Sequence, residues 1–96
     1  MNVYVAGHIA RTKARPLGSR QWRILAYARW CEAGGRPFPT LDQIARHLAY
    51  HGSLVDIENS LLGLAARGLV EATARRTTKR GTFPDGWRVT DAGRRA

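Results

Sequence analysis

Ninety-six residues suit a single domain with a modest core, and leave no room for a second one. Sixteen Lys and Arg against seven Asp and Glu give a formal charge of +9, while a single cysteine, Cys31, excludes an intramolecular disulfide and fits a reducing, cytoplasmic setting. The longest apolar run, residues 61–66, falls far short of the ~20 residues of a membrane helix, and the opening MNVYVAGHIA lacks a basic n-region and is broken by Gly7 and His8, so neither a membrane span nor a signal peptide is expected.

The positive charge is unevenly placed. Residues 11–23 hold five basic and no acidic side chains, residues 24–74 hold four basic and five acidic, and residues 75–96 hold seven basic and two acidic. A solvated surface of no special role mixes the signs, whereas two basic flanks around a near-neutral middle suit a polyanion such as nucleic acid.

In chain order, residues 2–10 carry Val3, Val5 and Ile9 with Tyr4 between them, a short strand or an apolar clip. Arg11, Lys13 and Arg15 then precede Pro16 and Gly18, and residues 1–18 read as an N-terminal segment ending in an extended basic arm of the kind that follows a phosphate backbone or enters a minor groove. Ser19 is placed to cap a first helix over 20–33, stopped by Gly34 and Gly35. Ile24, Leu25, Ala28 and Cys31 form its core stripe at helical spacing. Trp22, Ala26, Trp30 and Ala33 form a second apolar set on the opposite side, to be covered by a terminal segment or by a homodimer seam through Trp22 and Trp30.

Residues 36–39 read as an extended connector with two prolines, short enough for one minimal strand. Thr40 caps a second helix over 41–49 with Leu41, Ile44, Ala45 and Leu48 inward, and its free N–H groups are a candidate phosphate contact. His47 and His51 stand four apart with no third ligand nearby, so no metal is implied. Ser53, with Asp56 completing a capping box, opens a third helix whose buried stripe is Leu54, Ile57, Leu61, Leu64 and Ala65. Its outward face holds Val55, Asn59, Leu62, Gly63 and Ala66, flanked by Asp56, Glu58, Ser60 and Arg67. Asn59 and Glu58 are of types that pair with adenine and cytosine; Val55, Leu62 and Ala66 suit a protein partner equally well.

Gly68 ends that helix and a strand over 69–73 follows, returned by a strand over 86–89. Between them Arg75, Arg76, Lys79 and Arg80 crowd a hairpin tip that packing gives no reason to charge, which suits a wing laid along a phosphate backbone. Residues 90–96 read as a capped basic turn or short helix.

The resulting order of helix, short strand, helix, turn, helix, strand, basic loop and strand is that of a winged helix-turn-helix over residues 19–96, mainly α with a small antiparallel wing. LGSRQWRIL, GGRPFPTLDQIARHL and SLVDIENSLLGLAARGLVE resemble the DNA-binding domain of LexA-type repressors over residues 17–71, with motifs shared by MarR-like winged helices. That resemblance implies double-stranded DNA as partner, with the start of the third helix, Ser53, Val55, Asp56, Glu58 and Asn59, toward the bases. Val55 departs from it, standing where the family usually has a polar reading residue, and the wing is longer and more basic. The chain stops before a protease domain, so self-cleavage is not expected. No cofactor is implied, and no enzyme is expected, because GxxxxGK[ST], GxSxG and a Cys–His nucleophile pair are all missing and Asp56 and Glu58 diverge on their helix. The expectation is thus a small DNA-binding regulator holding the duplex through Arg11, Lys13, Arg15, Thr40, Ser53, Val55, Glu58, Asn59, Arg67, Arg75, Arg76, Lys79 and Arg80. The alternative is a winged helix used as a protein-interaction module, an assembly factor or an inhibitor from a mobile element.

Overall fold

Three helices close on one another because each buries one narrow stripe. In the computed structural model, which describes residues 16–96, these are α1 (Ser19–Ala33), α2 (Leu41–His47) and α3 (Leu54–Ala66). They are followed by β1 (Val70–Thr78), β2 (Gly81–Val89) and a last short helix, α4 (Asp91–Arg95). The described residues therefore form a small α/β domain of four helices and a two-stranded antiparallel sheet. Ile24, Leu25 and Ala28 of α1, Ile44 and Ala45 of α2, Ile57, Leu61 and Leu64 of α3, and Val70 and Val89 at the base of the hairpin make one contiguous core.

All three long helices stop the same way. At α1, Arg36 N–H donates to Cys31 O and Gly35 N–H to Glu32 O; at α2, Tyr50 N–H donates to Ala45 O and Ala49 N–H to Arg46 O; at α3, Leu69 N–H donates to Leu64 O and Gly68 N–H to Ala65 O. Each is a Schellman ending, which needs a left-handed residue just beyond the helix. Gly35 (φ +72) and Gly68 (φ +74) supply it without strain, but the residue at the end of α2 is Ala49, at φ 53. That is why α2 ends at His47 and not at residue 49: no glycine in the sequence marks the stop.

Several local expectations are corrected. The first helix is capped by Gly18 rather than Ser19, with Gln21 Oε1 accepting from Gly18 N–H at 3.3 Å. Residues 36–39 form no strand, since Pro37 and Pro39 have no N–H to offer a ladder. Thr40 does cap α2, reciprocally with Gln43. Ser53 caps α3 by accepting from Val55 N–H, but Asp56 does not return the favour to the backbone; its carboxylate accepts from the Tyr50 hydroxyl instead. Leu54, assigned to the buried stripe, is 41% exposed, and Ser60, assigned to the polar flank, is buried with its hydroxyl donating to Asp56 O. Leu17, assigned to the arm, packs against the core.

The hairpin is much longer than residues 69–73 and 86–89. Its ladder runs from Val70↔Val89 to Thr78↔Gly81, with irregularities at residues 72–75 that leave Thr73 and Asp85 out of the pairing. Only Lys79 and Arg80 form the turn. At the other end the start of α4 is tied to the link between α3 and β1: Thr90 N–H donates to Leu69 O, the Thr90 hydroxyl donates to Gly68 O at 2.6 Å, and the same hydroxyl accepts from Gly93 N–H. A Cβ on Gly93 would collide with the Leu69 carbonyl and lie 2.8 Å from Val89 Cγ1.

Two substitutions test these backbone constraints by urea unfolding. Gly93→Ala lowers stability by about 1–3 kcal/mol, because backbone has to move to admit the methyl group. Ala49→Gly raises it by up to about 1 kcal/mol, the left-handed penalty less the added chain entropy. Equal midpoints for all three proteins would contradict this account of the helix and hairpin ends.

Candidate nucleic-acid interface

Burying Ile57, Leu61 and Leu64 on one side of α3 turns Val55, Asn59, Leu62 and Ala66 out on the other, at spacings of four, three and four residues. This ridge carries no charge, and Val55 (62% exposed) and Leu62 (41%) stand in solvent beside exposed Asn59. Its two sides differ. Toward α1, the Gln21 carboxamide lies over Gly63, and Arg67 donates to Pro16 O at 3.2 Å. Toward the hairpin, Glu58 faces a groove of about 520 Å³ that also takes in Phe38, Thr40, Arg76 and Trp87.

The candidate residues are only partly brought together. Arg11, Lys13 and Arg15 lie outside the described residues. Pro16, which follows them in the chain, is held beside the C-terminal end of α3. Val55 and Asn59 share the ridge with Leu62, and Ser53 sits at its head as the cap. Glu58 does not belong to the ridge: it is half-buried and turned into the groove. Thr40 lines the same groove, but its N–H is already donated to Gln43 Oε1, so it offers no open amide for a phosphate. Arg67 is engaged at the surface by the Pro16 carbonyl, a positioning contact as much as a cationic one.

Arg75, Arg76, Lys79 and Arg80 are exposed, and among the described residues their side chains make neither ion pairs nor hydrogen bonds. They are not one cluster on a loop, as the sequence had them. Arg75 pairs with Pro84 and Arg76 with Phe83, so strand alternation sends the two guanidinium groups to opposite faces of the hairpin. Arg76 leans toward the groove beside α3, while Lys79 and Arg80 project from the tip.

Asp85 reads from the sequence only as part of the loop between the strands, with no role there. Four of the seven carboxylates, Glu32, Asp42, Glu71 and Asp91, take arginine partners, and Asp56 takes Tyr50. The two left without a partner among the described residues, Glu58 and Asp85, both line the hairpin groove. The bulge that leaves Asp85 out of the ladder puts it there, a displacement that regular alternation does not anticipate.

The tilt of the ridge is fixed at Tyr50. Its hydroxyl donates to Asp56 in the first turn of α3, and the Arg20 guanidinium of α1 sits 4.6 Å from its ring centroid. Donation to Asp56, then burial, hold the Tyr50 phenol above its ordinary pKa of 10.0, and burial does the same for Tyr27. Among the described residues no group of three His, Cys, Asp or Glu is placed to hold a metal ion, and no helix is long and apolar enough to cross a membrane. Comparison with protein-family models, with curated proteins and with solved structures gives no match to the chain.

Because the folded state prefers the neutral Tyr50 phenol, its contribution to stability is complete below pH ~10 and is lost as pH rises through the raised pKa. The melting temperature of the natural chain should therefore fall more steeply than that of Tyr50→Phe above that pH, with Tyr27 titrating in both. Parallel alkaline profiles would show that the hydroxyl does not tie the turn to α3.

Proposed function

We propose that the chain is a winged helix-turn-helix that holds double-stranded DNA, as its resemblance to the LexA-type domain implies, with the ridge of α3 in the major groove and the hairpin as the wing. The observation that carries this reading is the placement of an uncharged ridge, Val55, Asn59, Leu62 and Ala66, beside a long hairpin whose four cations have no partner of their own among the described residues. A solvated hairpin gains little from four unpaired cations in a chain that is already +9. A phosphate backbone gives each of them a counter-charge and releases bound counterions in exchange. A cytoplasmic setting follows from this reading.

On it, the labour is divided. Arg76, Lys79 and Arg80 supply affinity without sequence preference, with Arg75 reaching a phosphate only around the edge of the strand. Asn59 is the one side chain on the ridge with a bidentate edge for adenine, and Val55 and Ala66 suit thymine methyl groups. Glu58 and Asp85 repel phosphate from the floor of the groove, which keeps the backbone on the hairpin's outer cations. The domain then acts as a small regulator whose affinity is largely electrostatic.

The exposure of Leu54, Val55 and Leu62 favours a second reading, a winged helix that docks its third helix on a protein. A salt titration with duplex DNA separates the two. Replacing Arg75, Arg76, Lys79 and Arg80 by Gln should flatten the slope of log K against log salt by between ~1.8 and ~3.6, at ~0.9 per phosphate lost. Asn59→Ala should leave the slope alone and erode preference for one sequence over a scrambled one by ~1–3 kcal/mol. An unchanged slope in the hairpin variant, with a nuclease-resistant partner lost on Leu62→Asp, would replace DNA by protein as the ligand.

A further inference from the structure

The outer side of α1 carries a surface that the duplex reading does not use. The Tyr27 ring stacks on His47 at the end of α2, with centroids 3.9 Å apart and planes 5° from parallel, and lies near-parallel to Trp30 at 6.2 Å. The Arg36 guanidinium sits 4.7 Å from the Trp30 centroid. Arg23 closes the other edge, donating to Leu48 O at 3.3 Å. Together with Ala26 these side chains line an open shelf of about 640 Å³ that contains no carboxylate and shares no residue with the hairpin groove. Neither end of the described chain covers it: Arg94 and the Ala96 carbonyl reach Glu32 and Arg29 on the adjoining side of Trp30 and stop there, leaving Trp30 60% exposed.

Charge and shape select the occupant. A second copy docked through Trp22 and Trp30 would set Arg23 and Arg36 against their own equivalents in a chain of net charge +9, a like-charge contact that opposes the homodimer seam. An acidic peptide would neutralise the arginines but offer nothing flat to the rings. Unpaired nucleotides supply both, a planar base for each exposed ring face and a phosphate for each guanidinium.

We infer that this shelf binds single-stranded nucleic acid, seating about two or three unpaired nucleotides with a base on Trp30 and phosphates on Arg23 and Arg36. The site is separate from the α3 ridge and stands or falls independently of the duplex reading.

Fluorescence anisotropy of a labelled twelve-nucleotide oligothymidylate, with a duplex measured in parallel, tests it on the full chain. Trp30→Ala should weaken binding of the single strand by at least about fivefold, and Trp30→Phe should restore most of it. Arg23→Gln with Arg36→Gln should lower the single-strand salt slope by about 1.4, at ~0.7 per phosphate. Duplex affinity should stay within about twofold in the two Trp30 variants, and the Gln hairpin variant should still show the Trp30 dependence. Trp30 is exposed, so its loss should not unfold the domain, and the arginine pair gives a second route that leaves the rings in place. Single-strand binding that ignores Trp30→Ala and the arginine pair, or that falls equally for duplex, would overturn the inference. Displacement of the oligonucleotide by polyglutamate that itself depends on Trp30 would overturn it too, in favour of an acidic protein segment.

Discussion

Everything on the candidate interface depends on how α3 is buried. Ile57, Leu61 and Leu64 are fully enclosed by α1, α2 and the base of the hairpin, and truncating any of them to Ala costs on the order of 2–5 kcal/mol in comparable cores. A helix pinned along one stripe has no rotational freedom left, so the identity of its outward ridge is decided by the burial and not by the ligand. Tyr50 then fixes the tilt, joining Arg20 of α1 and Asp56 of α3 at one ring. Gly68 ends the helix at a left-handed residue, and β1 starts two residues later, so the hairpin's origin is set by the same element. Ridge and hairpin are thus held in a fixed relation by apolar packing, with electrostatics free to vary around them.

Charge is distributed to match. Carboxylates on the helices and at the base of the hairpin are absorbed by nearby arginines, at Asp42–Arg46, Glu71–Arg88 and the Glu32–Arg94–Asp91 group. These pairs are exposed and add little stability. Their consequence is that the surplus positive charge surfaces elsewhere, on the hairpin and on the outer side of α1. The first surplus lies beside an uncharged helical ridge and the second beside aromatic rings, and that difference in neighbours is why we propose duplex DNA for the one surface and a single strand for the other.

The sequence disclosed whatever depends on local periodicity and on punctuation by glycine. The core stripes of α1 and α2, the Thr40 and Ser53 caps, and the stops at Gly35 and Gly68 all follow from spacing and residue type. What it hid depends on tertiary competition. Asp56 had two acceptable partners, its own helix cap and the Tyr50 hydroxyl, and only packing of the α2–α3 turn decides between them. Ala49 adopts a glycine's conformation, so α2 ends unannounced. Thr77 and Thr78 read as loop, yet β1 runs through them, because a hairpin with Thr77 opposite Thr82 keeps pairing well past the core. The candidate site was legible by composition but not by geometry: that residues 75–80 were basic was plain, whereas the opposite facing of Arg75 and Arg76 needed the full length of β1, and the placing of Asp85 beside Glu58 in the groove needed the bulged register.

The central claim is that the α3 ridge and the hairpin form one surface for duplex DNA. The most direct measurement is an amide chemical-shift map of the isotope-labelled chain titrated with a short duplex. The account predicts shifts concentrated at Val55, Asn59, Leu62 and residues 75–80, with the outer side of α1 around Ala26 and Trp30 unmoved. Shifts confined to α1, or a hairpin that does not respond while the ridge broadens only with a protein partner, would contradict it.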